Sequence, residues 1–142
     1  MEFMQQTHQY SFLIRLLKGE DLLLSLQKFC EKHPDIGAGS IYGIGAVSQA
    51  KYGFFNGEKY LESILEENLE VLSIIGNIAE NQIVHLHGIF GRVDGTCVGG
   101  HILPGCIISV TCELSVMVFK PKVIRELDPE TNLKLLSLPE KM

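Results

Sequence analysis

Three of the chain's five histidines, His85, His87 and His101, lie in one short stretch. Side chains alternate along a strand, so a strand through QIVHLHGIF puts His85 and His87 on the same side. Ile83 and Ile89 share that side, while Val84, Leu86, Gly88 and Phe90 take the other. A strand apolar on both faces is either buried or covered by another subunit. Two imidazoles there repel if both are charged, and burial disfavours the charged form of each. Neutral imidazoles converging on a divalent cation satisfy both constraints. A His-x-His pair joined by a distant third histidine has the spacing of a three-histidine centre with an open fourth position, and zinc is the first expectation. Taken singly, each reads as an ordinary histidine bonded to a backbone carbonyl; the trio reads as a site.

His101 follows Gly99-Gly100 and precedes Pro104-Gly105. Glycines let the backbone approach closely or take positive φ, so a histidine framed this way can be presented to the spot the pair faces. Glu113 is the other candidate. In VTCELSV it shares a face with Thr111 and Ser115, opposite Val110, Cys112, Leu114 and Val116. There it either orients a ligating imidazole, moves a proton as a general base beside the metal, or faces water from a one-sided sheet. His8 and His33 fall near the N-terminus and at a helix end, without visible partners. The chain contains no phosphate-cradling glycine loop and no Gly-x-Ser-x-Gly elbow.

These residues need strands to position them. Tyr10 to Leu17 is apolar and partly alternating and predicts a strand. A helix follows, opened by Glu20 or Asp21 as a cap. Leu22, Leu23, Leu26, Phe29 and Cys30 recur at helical spacing, and His33-Pro34 ends it. Gly37 to Phe55 predicts two strands with a bend, and Asn56-Gly57 a hairpin turn into 59–65. Further strands are expected over 69–79, 82–90, 98–103 and 107–119. The tail would add edge strands over 123–127 and 133–136. The sum is a single α+β domain over 1–142, with its core over about 10–118 and a tail over 119–142. Mostly antiparallel strands form a curled sheet or partial barrel with one main helix.

A chain of 142 residues fits one domain, and 46% hydrophobic against 20% charged residues excludes intrinsic disorder. A mean hydropathy of +0.18 suggests apolar surface buried between subunits. Twelve Lys and Arg against 17 Asp and Glu give a net charge of −5, which opposes DNA binding through a broad basic face. The only arginines are Arg15, Arg92 and Arg125, and the stretch Lys120, Lys122, Arg125 reads as a solvated strand end. No run of 18 apolar residues predicts a membrane span, and Met1 to Gln6 lacks a signal-peptide pattern. Cys30, Cys97, Cys106 and Cys112 form no Cys-x-x-Cys pair. Reduced, buried thiols in a cytoplasmic protein are expected.

Several segments taken together resemble the plants-and-prokaryotes-conserved (PPC) domain. They are Gly43-Ile44-Gly45-Ala46-Val47 with Tyr52-Gly53, Leu72 to Ala79, His85-Leu86-His87, Gly99 to Gly105, and Thr111 with Glu113. The resemblance spans about 10–118 and implies a compact α+β fold that assembles as a homotrimer. In plant members the domain follows AT-hook segments that contact DNA, and it serves assembly and partner binding. This sequence has no AT-hook, so direct DNA contact is not expected, although stand-alone relatives are often labelled DNA-binding. The fold also resembles that of acetolactate decarboxylase, a zinc enzyme with three histidine ligands. Carried over by motif, that ligand set falls on His85, His87 and His101. The leading expectation is a homotrimer with a zinc or similar divalent centre whose activity is left open; if it is an enzyme, metal-assisted lyase or hydrolase chemistry on a small polar molecule is the natural class. The alternative is a non-enzymatic, DNA-associated or regulatory assembly module.

Overall fold

A computed structural model describes residues 1–142, the side chain of Gln82 excepted. Its strands in chain order are β1 (Glu2–Phe3), β2 (Thr7–Leu17), β3 (Ala38–Phe55), β4 (Tyr60–Leu65), β5 (Leu69–Ala79), β6 (Ile83–Gly91), β7 (Cys97–Ile102), β8 (Ile107–Lys120), β9 (Ile124–Leu127), β10 (Lys134–Ser137) and β11 (Glu140–Lys141). The helix α1 (Leu22–Lys32) follows β2, and a 3-10 turn over Glu80–Gln82 joins β5 to β6. One seven-stranded antiparallel sheet runs β2-β8-β3-β5-β6-β7, with β4 also paired to β3. The sheet curls until β7 meets the far half of β3, pairing Ile102 with Tyr52 and His101 with Gly53. Outside this curl β2 pairs only with β8, so the sheet keeps an edge and is not a closed barrel.

The inner face of the curl is covered by α1. Asp21 caps the helix, its Oδ1 accepting from the Leu24 N–H at 3.0 Å. At the other end the His33 N–H donates to the Cys30 carbonyl. The buried stripe Leu22, Leu23, Leu26 and Cys30 packs with Val84, Leu86 and Phe90 of β6 and with Ile74 of β5 in one core cluster. Each large side chain buried this way contributes about 1.5–3 kcal/mol. Because this packing claims one side of β6, His85 and His87 are left on the outer side.

Two expectations about the elements need correcting. The expected pair of strands over 37–55 is one 18-residue strand, Ala38–Phe55. Register shifts between Gly43 and Gly45 against β5, and between Gly45 and Val47 and between Val47 and Gln49 against β8, absorb the bend while pairing continues. The tail does not extend the main sheet either. β9 and β10 pair with each other as a separate hairpin, and β1 pairs with β11. The hairpin is tied down through Val123, whose N–H donates to Gly37 and whose carbonyl accepts from Glu80. Cys30, Cys106 and Cys112 are buried thiols, pushed up to about 11 by burial, but Cys97 is exposed. Among the described residues, no helix is long and apolar enough to cross a membrane.

Candidate metal centre

The ladder brings the three histidines together. His87 of β6 sits directly opposite His101 of β7, and His85 is two residues along β6 on the same face. Ring centroids are 5.0 Å apart for His85 and His87, 5.0 Å for His85 and His101, and 5.6 Å for His87 and His101. One ring nitrogen from each lies within 4.8 Å of the other two. His85 Nε2 and His87 Nε2 are 3.2 Å apart. Two nitrogens bound tetrahedrally to zinc at about 2.0–2.1 Å stand roughly 3.3 Å apart, so this pair already has the spacing of a shared ion. His101 Nδ1 is shielded from water and has no hydrogen-bond partner among the described residues. An all-imidazole donor set with such an orphaned nitrogen fits a borderline divalent cation, zinc foremost.

Close backbone approach explains the glycines before His101. A Cβ on Gly99 would strike the Gly88 carbonyl, and one on Gly100 the Gly53 carbonyl. Bare glycines therefore let β7 sit tightly between β6 and β3. Positive φ is needed only past the histidine, at Gly105 (φ 122°). That turn is pinned to the helix start, where Asp21 Oδ2 accepts from the Gly105 N–H at 2.7 Å and the Leu22 N–H donates to the Cys106 carbonyl.

The site lies on the outer face of the curl, with His87 exposed and His85 and His101 half-buried. Tyr60 stacks on the His101 ring at 4.8 Å. The Arg125 guanidinium reaches His85 Nδ1 at 3.2 Å. Burial pushes His85 down to about 4, aided by the positive charge of Arg125 and then by the other two histidines. His101 is lowered as well, by burial first, then by His87 and Arg125. Low basicity keeps both imidazoles neutral, the form that ligates. Around the site the outer face is apolar. Ile75 stands opposite His87, Tyr42 pairs with Ile75, and Ile44 and Ile89 lie alongside, all at least half exposed.

Glu113 is not brought to this cluster. It lies on β8, opposite Ile44 of β3 and Arg15 of β2, with Thr111 Oγ1 donating to it at 3.4 Å. Three ladder steps across β3 and β5 separate its strand from β6, about 14 Å at ordinary strand spacing. His8 lies near Ser11 Oγ, and His33 Nδ1 lies 2.8 Å from the Phe29 carbonyl. Both are local structural histidines.

Sequence reasoning missed Arg125 and Asn77. Arg125 was expected at a solvated strand end, but the tail hairpin folds it onto β5 and β6. Its Nη2 donates to Asn77 Oδ1 at 2.7 Å, and its Nη1 to the Lys134 carbonyl at 2.8 Å. The visible signal was Asn77 itself, a polar residue inside the apolar strand LSIIGNIA that falls opposite His85.

Comparison with known proteins agrees with this architecture. The bifunctional protein GlmU of Synechococcus sp. (strain JA-3-3Ab) is 31% identical over 120 residues, covering 84% of this chain and 19% of that protein. The chain thus spans about a fifth of the length of the curated relatives it matches. A plant- and prokaryote-conserved protein from Pyrococcus horikoshii superposes with a TM-score of 0.88 at 27% identity, covering 99% of this chain and all of that one. A metal-containing protein from Archaeoglobus fulgidus gives 0.84 at 32% identity, covering 95% and 98%. A candidate DNA-binding protein from Bacteroides thetaiotaomicron gives 0.84 at 25% identity, covering 94% and 97%. A Staphylococcus aureus protein similar to alpha-acetolactate decarboxylase shares the fold alone, with a TM-score of 0.50 at 12% identity over 76% of this chain and 52% of that one. The family model of the Plants and Prokaryotes Conserved (PCC) domain matches residues 4–120, and the chain belongs to that family.

Proposed function

We propose that this protein is a homotrimeric metal-binding member of its family, in which His85, His87 and His101 hold one divalent cation per subunit, zinc in the first place. The observation that carries this reading is the convergence of three imidazole nitrogens within 4.8 Å. The metal-containing relative from Archaeoglobus fulgidus supports it. A three-histidine zinc centre supplies a Lewis acid with an open position, suited to lyase or hydrolase chemistry on a small polar molecule. The chain's own residues hold His85 and His101 neutral, fix His101 through the turn pinned to α1, and stack Tyr60 over one wall. Glu113 keeps a proton-moving role in this reading only across a subunit boundary, because it stands on the apolar outer face beside Ile44.

Metal analysis of protein purified without added metal or a histidine tag tests the centre. The expected result is about one equivalent of zinc or a similar ion per subunit. No metal at neutral pH, under conditions that load other histidine sites, would overturn it. Protons compete with the cation for the imidazoles, so affinity is expected to fall with acid. Burial lowers both His85 and His101, and the share of the fall due to His85 comes only near pH 4. An isothermal titration series from pH 7.5 to 4 reads this directly.

The exposed apolar face supports the trimer. Ile75 is 63% and Ile44 59% exposed in the single chain, and both adjoin Tyr42 in the ladder. Such a contiguous patch marks an interface. Light scattering at micromolar concentration is expected to give three times 15.8 kDa, and a monomer would refute the assembly.

A second reading, a DNA-associated or regulatory assembly module, draws on the Bacteroides relative. The net charge of −5 opposes direct contact with phosphates. An electrophoretic shift at physiological salt, set beside turnover of candidate carbonyl substrates, separates the two.

A further inference from the structure

Arg125 is placed badly for a centre that already holds its metal. A guanidinium carries five N–H donors, no acceptor and no accessible deprotonated form. The contact between its Nη2 and His85 Nδ1 therefore has one polarity: arginine donates and Nδ1 accepts. A neutral imidazole that accepts at Nδ1 carries its proton on Nε2. In His85 that Nε2 faces His87 Nε2, so it donates there. The result is a one-way chain of hydrogen bonds from Arg125 to His85 to His87.

Nε2 of His85 is also the atom turned toward the other histidines, and a protonated ring nitrogen has no lone pair for a cation. Ligation through Nε2 transfers the proton to Nδ1, where it meets the guanidinium N–H donor to donor. Histidine ligands ordinarily give that second N–H to a carboxylate, a carbonyl or water; a guanidinium reverses the requirement. Its positive charge, one imidazole away from the cation's place, adds electrostatic opposition.

Resting on the metal reading above, we infer that Arg125 is a positioning residue that holds His85 in its non-ligating tautomer, so that metal loading requires the guanidinium to release His85. The residue rides on the β9–β10 hairpin, beyond the matched segment 4–120. That hairpin is a separate two-stranded sheet, so it can shift without breaking the main ladder. Arg125 Nε is shielded from water and has no partner among the described residues. The guanidinium is thus incompletely satisfied where it stands, and leaving His85 does not dismantle a saturated network. Metal occupancy and hairpin position become coupled, each opposing the other's present arrangement.

The test is zinc affinity, measured by competition with a chromophoric chelator, for wild type, Arg125→Lys and Arg125→Gln. It is paired with nitrogen NMR of the histidine tautomers in metal-free and zinc-saturated wild type. Glutamine offers a carbonyl that accepts the His85 Nδ1–H, and its variant is expected to bind zinc about ten- to a hundredfold more tightly than wild type. Lysine remains a donor-only cation, and its variant is expected to bind less tightly than the glutamine variant. A merely structural role for Arg125 would weaken binding in both. In wild type His85 is expected to carry its proton on Nε2 without metal and on Nδ1 with it. A glutamine variant that binds no more tightly overturns the role of Arg125 while leaving the metal centre standing. So does a metal-free His85 protonated on Nδ1, a measurement that needs no variant to fold. Failure of all three proteins to bind zinc overturns the metal reading and this inference with it.

Discussion

Zinc is expected to bind the His85→Ala variant at least about a hundredfold more weakly than wild type, while the fold and the oligomer persist. Structural zinc sites yield about 10–16 kcal/mol over four ligands, so one imidazole in three is worth about 3 kcal/mol, or roughly two decades in affinity. The fold does not share that dependence. On β6 the side chains packed into the core are Val84, Leu86 and Phe90, which point away from His85. Losing the half-buried ring removes an acceptor from Arg125, which keeps Asn77 Oδ1 and the Lys134 carbonyl. Zinc at a hundred times its dissociation constant should stabilise wild type by about 2.7 kcal/mol and the variant hardly at all. Thermal melting and light scattering, with and without chelator, read both effects. Three ligands leave a position open, whereas structural sites are usually closed with four, so chelated wild type is expected to behave like the variant and remain assembled. Dissociation or unfolding in both treatments would show that the metal is a structural element instead.

How far the sequence led depends on how local each feature is. The histidine trio was legible because the period of a strand fixes which side His85 and His87 share, and a short hairpin returns β7 with His101 opposite His87. The helix followed from spacing and composition alone, which narrowed its cap to Glu20 or Asp21; the structure selects Asp21. What failed involved partners distant in the chain. Gly37 to Phe55 looked interrupted because glycine clusters weaken strands, yet bulges at Gly43 and Val47 carry the ladder through. The tail strands looked like edges of the main sheet, and nothing local says that Ile124–Leu127 pairs only with Lys134–Ser137. Arg125 reaches His85 across 40 positions, a contact no periodicity encodes. Glu113 drew notice as a polar residue on an apolar strand, but strand order, not alternation, decides its distance from the site.

Gly76→Ala is expected to cost on the order of 3–5 kcal/mol and to weaken metal binding, although residue 76 touches no ligating nitrogen. Gly76 lies in the middle of β5, opposite Ile41 of β3 and Leu86 of β6. A Cβ there would overlap the carbonyl oxygen of His85 and press on the Leu86 side chain at 2.8 Å. The carbonyl belongs to the backbone and cannot swing aside as a side-chain end would. Relief therefore parts β5 from β6. Overpacking alone costs about 1–3 kcal/mol, and each ladder bond stretched or lost adds about 1 kcal/mol. Against a total stability of about 5–15 kcal/mol this is a large fraction. The displaced backbone is that of His85 itself, so its ring leaves the 3.2 Å relation with His87 and zinc affinity falls together with stability. Glu70→Ala, at an exposed position on the same strand, serves as the control and should stay within about 0.5 kcal/mol of wild type. Urea denaturation followed by zinc titration of the folded fraction measures both quantities. A Gly76→Ala protein with the wild-type midpoint and zinc affinity would mean that β5 and β6 can absorb a methyl group, and that their close approach is not what sets the histidine geometry.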